Sequence, residues 1–313
     1  MTWRQRLSRW DVRSAPYLYI APFFLLFAVV GLFPLLYTGW VALNRWSLVV
    51  GNQGFIGFGN FSYVLGQPRF WDAVVNTFSI FLLSSVPQII LAILIASVLD
   101  ANLRAKTFWR MGVLVPYVVA PVAVSLVFGQ LFADDSGVIN TLLTNLGLDP
   151  VGWHADRLSS HLAIATMVNF RWTGYNALIF LAAMQAIPRD VIEAAVVDGA
   201  SRWRTFINVT VPLLRPTIIF VVITSTIGGL QIFDEPRLFD TFGLGGPDRE
   251  WMTVTMYLYE LGWATQRNLG RSAAVAWLLF LIIVLFAMLN YAITRRIASS
   301  DSRPHRGRKA VAR

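Results

Sequence analysis

The chain has 313 residues, of which 56% are apolar and only 14% charged, and its net charge is +9. Soluble domains carry about 25% charged residues, so this composition excludes an ordinary water-soluble enzyme. Cysteine is absent, which excludes disulfides and thiolate metal sites; His154, His161 and His305 lack ligand spacing, so neither metal nor cofactor is expected.

In chain order, an Arg-rich head (residues 1–16) leads into an apolar run over residues 17–43. That run exceeds the apolar region of about 7–15 residues in a signal peptide and no small-residue cleavage site follows, so it is expected to be a retained membrane span. A bilayer core about 30 Å thick needs about 20 apolar residues in a helix. Five further segments meet that requirement: 73–99, 108–132, 161–186, 216–233 and 272–294, the fourth and fifth spans being the least purely apolar. The expected fold class is therefore an all-α integral membrane protein of six transmembrane helices, with a membrane domain over 17–295. Pro22, Pro34, Pro87, Pro116 and Pro121 fall inside spans, and the pair Pro116 and Pro121 is the best candidate for a kink. The tail, 296–313, is rich in Arg with Ser, Pro and Gly, and reads as disordered.

The basic charge is distributed by side. Seventeen Lys and Arg residues flank the spans on the side of the head, the tail and the link between spans four and five, against seven on the other. The positive-inside rule places both termini and that link in the cytoplasm. The charge then reflects topology and anionic-lipid contact rather than nucleic acid.

The link over 188–212 is more elaborate than a connector needs to be. Pro188 suits the first position of a helix. Val191, Ala194, Ala195 and Asp198 recur at helical spacing and give a mainly small, apolar face. Asp198-Gly199 supplies a turn, Ser201 caps a second helix whose apolar residues are Trp203, Phe206 and Ile207, and Pro212 ends it. Two short amphipathic helices result. They either lie on lipid or dock into a groove on another protein, and the small residues Ala194, Ala195, Gly199 and Ala200 favour docking.

Span four carries Asn169, Arg171, Trp172, Tyr175 and Asn176 in an otherwise apolar run, and span five carries Gln231 after Gly228-Gly229. Intramembrane polar groups face a cavity or a partner. Amides for hydroxyls and an aromatic face for a ring suit a sugar; hydrogen bonding between helices is the alternative. Arg171 lies toward one interface, where it can snorkel. The outer stretch Gly243-Leu244-Gly245-Gly246-Pro247 is either a flexible turn or a contact loop. The chain has two lysines, Lys106 and Lys309, and neither follows a glycine, so no Walker A phosphate loop exists and ATP hydrolysis is not expected here.

The link resembles that of the binding-protein-dependent permeases of ATP-binding-cassette importers. The matching residues are Glu193-Ala194-Ala195, Asp198-Gly199-Ala200 and Val211-Pro212, with Val211 standing where the family has Leu. Gln185-Ala186-Ile187-Pro188, Pro212-Leu213-Leu214-Arg215-Pro216 and Tyr19-Ile20-Ala21-Pro22 look like its carbohydrate branch, of the maltose and glycerol-phosphate type. The resemblance implies a coupling loop seated on an ATPase subunit, with Glu193 in a polar contact and Gly199 at the turn. It also implies a second permease chain, two ATP-binding-cassette subunits and an extracytoplasmic sugar-binding protein touching the loop at Gly243, Gly245, Gly246 and Pro247. This chain looks like the permease partner with the longer amino-terminal head. The alternatives are a permease of the same machinery for a glycerol phosphate ester, peptide or phosphate, and an ion-coupled secondary transporter, against which no span carries a carboxylate near its centre. The charge split predicts that a periplasm-dependent reporter enzyme fused after Arg313 is inactive and a cytoplasm-dependent one active; the reverse pattern overturns the topology.

Overall fold

The structure, a computed structural model, describes residues 3–101, 104–240 and 243–301, with side chains considered over 14–292 of these. The chain divides into two units, residues 1–67 with 258–278, and residues 68–257 with 279–313.

The first unit opens with α1 (Trp3–Phe27), a π-helical turn (Ala28–Leu32) and α2 (Phe33–Ala42). Together they provide an apolar helix over Ser14–Ala42 with none of its most apolar window buried. Pro22 lies within α1 and Pro34 in the first turn of α2, just after the π turn that absorbs its lost hydrogen bond. An antiparallel hairpin follows, β1 (Asn44–Ser47) on β2 (Gly51–Phe55), then α3 (Gly59–Leu65). The hairpin was not legible from apolar periodicity because its strands carry mainly polar and glycine residues. Asn60 braces its base by donating to the carbonyls of Ala42 (2.8 Å) and Asn44 (2.9 Å).

The second unit is built on α4 (Pro68–Asp100) and α8 (Arg157–Gln185), each more than 40 Å long at about 1.5 Å per residue. Along α4, Ala73, Asn76, Thr77, Ile80, Ser84, Gln88, Ala92, Ala96 and Leu99 are buried, a single stripe at three- and four-residue spacing. It meets an equivalent stripe on α8, where Ala163, Met167, Ala177 and Phe180 are fully buried. Small residues at such a seam let helices approach where no hydrophobic effect drives them together.

Between them run α5 (Lys106–Val118), α6 (Pro121–Leu131) and α7 (Val138–Asn145). The third expected span is therefore broken: α5 and α6 meet at 87°. Val119 and Ala120 are extended, with ψ of 134° and 137°, because Pro121 excludes the helical conformation from the residue before it and then starts the next helix. Pro116 lies inside α5 without ending it.

After α8 come α9 (Arg189–Val197), α10 (Arg202–Thr205), a second π turn (Phe206–Thr210), α11 (Val211–Leu213) and α12 (Arg215–Gly229). The helix expected to stop at Pro212 instead runs through it to Leu213, and the 10–12 segment bends by 67° before α12. The bend falls there because the ring of Pro216 would meet the carbonyl of Pro212 in a straight helix. Then come α13 (Asp234–Leu238), α14 (Val254–Tyr259), which leads into the first unit through a third π turn (Glu260–Ala264), and α15 (Leu269–Asp301).

By length and apolarity three helices can cross a membrane, or five when each bent pair counts as one span. The segment expected as the fourth span lies in the continuous helix α8, which is long enough to cross a membrane but too polar to count among these. The protein is thus a multi-pass, all-α membrane protein apart from the hairpin. The last helix continues to Asp301, past residue 296 where the disordered tail was expected to start; residues 302–313 lie outside the described residues.

The closest helix approach rests on Gly174, where a Cβ would lie 1.8 Å from the Val113 carbonyl oxygen. Gly174→Ala should destabilise the purified chain by about 1–3 kcal/mol or more, by forcing α5 off α8. Gly112→Ala, with open space around it, should leave the thermal melting midpoint unchanged or slightly raised. Equal midpoints for the two variants would remove the close approach from the account.

Candidate functional site

Within the second unit α4, α8 and α12 enclose a cavity of about 560 Å³, inside the roughly 300–1,000 Å³ range of small-molecule sites. Its wall brings together five of the six residues singled out in spans four and five: Arg171, Trp172, Tyr175, Asn176 and Gln231. Asn169 is not among them; its side-chain oxygen is buried away from the cavity without a partner among the described residues.

Arg171, Trp172, Tyr175 and Asn176 fall at i, i+1, i+4 and i+5 along α8 and line the cavity. Asn169 shares the face of Asn176 but lies seven residues, about 10 Å, earlier along the helix at about 1.5 Å per residue. Asn176 donates to the side-chain oxygen of Gln88 at 3.2 Å, so a buried amide pair links α8 to α4 at the cavity wall. Trp172 and Tyr175 both pack on Tyr117, edge-on at 5.2 Å and stacked at 4.7 Å respectively. This aromatic group gives the wall a flat, apolar portion beside the amides. Ser85, Thr224 and Ser225 add hydroxyls.

Arg171 does not snorkel. Its Nη1 donates to Glu235 Oε1 at 2.5 Å, and both side chains are almost buried, at 11% and 6% exposure. A bidentate-capable guanidinium against a carboxylate is the arrangement in which a buried charge is tolerated. Glu235, with its neighbour Asp234, also lines the cavity. Sequence reasoning missed the pairing of Glu235 with Arg171. It also missed Gln88 and Tyr117; the signal for Gln88 was a single amide in a long apolar run.

The Gly243–Pro247 stretch is held rather than loose. Gly243, Gly245 and Gly246 have φ of 59°, 88° and 94°. Asp240 accepts from the backbone N–H groups of Gly243 and Gly246, and Trp251 N–H donates to Gly245 O at 3.0 Å. A Cβ on Gly245 would lie 2.6 Å from Met252 Cα, so glycine is required there. Gly246 and Pro247 line a second cavity of about 910 Å³ together with His154, Arg249 and Trp251.

In the 188–212 link, α9 ends in a left-handed turn at Gly199 (φ 78°), closed by Gly199 N–H to Val196 O and Ala200 N–H to Ala195 O, each 3.0 Å. Ser201 caps α10 through the Arg204 N–H. Pro188 occupies the cap position rather than the first helical one, a shift of one residue. Glu193, Ala194, Asp198 and Gly199 are exposed, and Ala195 and Ala200 half-buried. Val197 is 86% exposed and Trp203 64%. No atom lies within 4 Å of a Cβ placed on Gly199. The loop is therefore fully formed by local hydrogen bonds yet presents its apolar residues outward.

A polar, aromatic-walled cavity between membrane helices is the arrangement of a membrane transport subunit. Residues 55–299 match the family of binding-protein-dependent transport system inner membrane components, and the chain belongs to that family. It is 34% identical to the lactose transport system permease protein LacF of Rhizobium radiobacter, over 94% of this chain and 98% of that one. It is 31% identical to the arabinooligosaccharides transport system permease protein AraP of Halalkalibacterium halodurans, over 92% and 90%. Its fold is similar to a chain of a bacterial ABC transporter involved in the import of the acidic polysaccharide alginate, with a TM-score of 0.77 at 22% identity, over 93% of this chain and 99% of that one. The membership decides against an ion-coupled secondary transporter.

The ion pair gives a direct test. Arg171→Met leaves the Glu235 carboxylate buried without its cation and should cost about 3–5 kcal/mol of stability. Adding Glu235→Leu should recover most of that loss in the melting midpoint of the purified chain. A double variant as unstable as the single one would mean that the pair is not the cause.

Proposed function

We propose that this chain is one membrane-spanning subunit of an ATP-driven importer of sugars, an oligosaccharide by preference. The observation that carries the reading is the cavity wall on which the Gln88–Asn176 amide pair and Gln231 stand beside the rings of Trp172 and Tyr175, which Tyr117 backs. Amides exchange hydrogen bonds with hydroxyls, and aromatic faces cover the apolar side of a pyranose. The sugar permeases named above support it.

With each bent pair taken as one span and α8 added, the chain crosses the membrane six times, with both termini cytoplasmic. The link then faces the cytoplasm, where Glu193, Ala194, Ala195, Asp198, Gly199 and Ala200 seat in a groove of an ATP-binding-cassette subunit. Two such subunits and a second permease, in a heterodimer, complete the machine; the hydrolysis of ATP occurs on those partners. An extracytoplasmic sugar-binding protein delivers the solute at the Gly243, Gly245, Gly246 and Pro247 loop. Closure of the ATPases moves the helix pair and switches the cavity from one side of the membrane to the other.

Gly199 tests the coupling. Within the chain a side chain there meets nothing, so Gly199→Asp costs only about 1 kcal/mol of backbone strain. Its expected effect is nevertheless complete loss of ATP-dependent sugar uptake and release of the ATPase on co-purification with tagged permease. Full ATPase retention with normal uptake would defeat the coupling assignment; sugar-independent ATPase activity in the intact reconstituted complex would defeat the sugar assignment.

A further inference from the structure

The first unit contains a further polar cavity, of about 440 Å³, formed by the hairpin, α3 and residues 266–271. It carries three arginines, Arg45, Arg267 and Arg271, and no Asp or Glu among its lining residues. None of the three has an ion-pair partner among the described residues. Arg271 stacks on Tyr63, its guanidinium 3.5 Å from the ring centroid, and donates to Gln266 Oε1 at 2.7 Å.

The walls are fixed by the backbone. Leu48 N–H donates to Arg267 O at 2.7 Å, Ser47 forms an isolated bridge with Asn268, and Asn268 Oδ1 caps α15 through Arg271 N–H at 3.0 Å. Arg267 is held at φ 48°, a left-handed conformation rare for a residue with a side chain. Gly270 admits the hairpin, since its Cβ would lie 2.4 Å from Asn44 O. Three like charges are thus gathered on a braced frame with no carboxylate among the described residues paired to them.

The place of the cavity names the ligand. Arg45 lies just beyond the end of the apolar helix Ser14–Ala42, and Arg271 near the start of the span Leu269–Ala292. The site therefore stands at the membrane surface, at headgroup depth. Trp40 stacked on Phe55 and the exposed Phe58 mark the same level, where aromatic residues collect at membrane interfaces. The hairpin tip, Leu48, Val49 and Val50, is apolar and exposed. We propose that Arg45, Arg267 and Arg271 hold the phosphate of an anionic phospholipid headgroup, with the hairpin tip resting among the adjoining lipids. A zwitterionic headgroup is disfavoured, because its ammonium finds no carboxylate in the cavity.

The test uses the full chain in phosphatidylcholine bilayers with and without phosphatidylglycerol, extracted in detergent, with retained lipid measured by mass spectrometry. Wild type should enrich phosphatidylglycerol. Each of Arg45→Gln, Arg267→Gln and Arg271→Gln should lower its apparent affinity about fivefold, the value of one arginine at an anionic surface. Arg104→Gln, the same charge loss elsewhere, should have no effect. Arg45→Gln alone keeps the test valid if the others misfold, because the Arg45 side chain makes none of the bracing bonds. Unchanged retention in that variant, or equal loss in Arg104→Gln, would overturn the proposal. Displacement of the lipid by inorganic phosphate but not by chloride at equal ionic strength would assign the site to a free anion. If the variants keep the lipid but abolish a salt-sensitive contact with the binding protein, the cavity takes a protein carboxylate and the lipid assignment falls.

Discussion

In apolar surroundings every buried backbone N–H and C=O must find a partner, and an unmet group costs several kcal/mol. The second unit depends on how this is done for the irregular stretch after α12. Asn76 of α4 donates to the carbonyls of Arg249 and Met252, each at 3.1 Å, and Thr77 accepts from Val254 N–H at 3.0 Å. His161 of α8 donates from Nε2 to Glu250 O at 2.9 Å, and its other ring nitrogen lies 2.8 Å from the Ser79 hydroxyl. Trp251, fully buried, donates to Pro236 O at 3.1 Å, and Thr253 to Ile232 O at the same distance. Polar side chains on two long helices thus stand in for water around a non-helical segment.

That pinning decides where the site lies. With Ile232, Phe239 and Trp251 locked into one core cluster with Ile80, Val124 and Met167, α13 is fixed between them, and Glu235 is carried to Arg171. The ion pair then forms one end of the cavity wall. At its other flank Gly229 lets α12 approach α4, since a Cβ there would meet Phe81 at 2.6 Å. The cavity is the space left when one straight pair of helices meets a helix whose entry is bent at Pro216.

The link between α8 and α12 follows a different rule. Its turn and caps are closed by neighbours in sequence, while Val196, Val197 and Trp203 remain exposed. Local hydrogen bonds make it rigid before any partner arrives, which lowers the ordering cost of docking. Phe206, at the end of the helix pair, packs against the Ala177, Phe180 and Leu214 cluster, the contact through which the proposed coupling would reach the helices that wall the cavity.

Long apolar runs made the class, a multi-pass helical membrane protein, readable from sequence, because transfer into a bilayer is a property of composition over about 20 residues. The link was readable to within a residue or two, because its turn at Gly199 and cap at Ser201 are local chemistry. Asn176, Trp172 and Gln231 were visible as polar or aromatic exceptions within apolar spans. Tertiary structure alone decided that Asn169 leaves the cavity, that Gln88 joins it, and that Arg171 is neutralised by Glu235 instead of reaching the interface. It also set the 87° angle of the break that Pro121 had marked in the sequence, and it formed the arginine cluster joining Arg45 to Arg267 and Arg271. Those outcomes depend on groups tens to hundreds of residues apart meeting at a few ångströms, and only the packing of helices against one another specifies which of them meet.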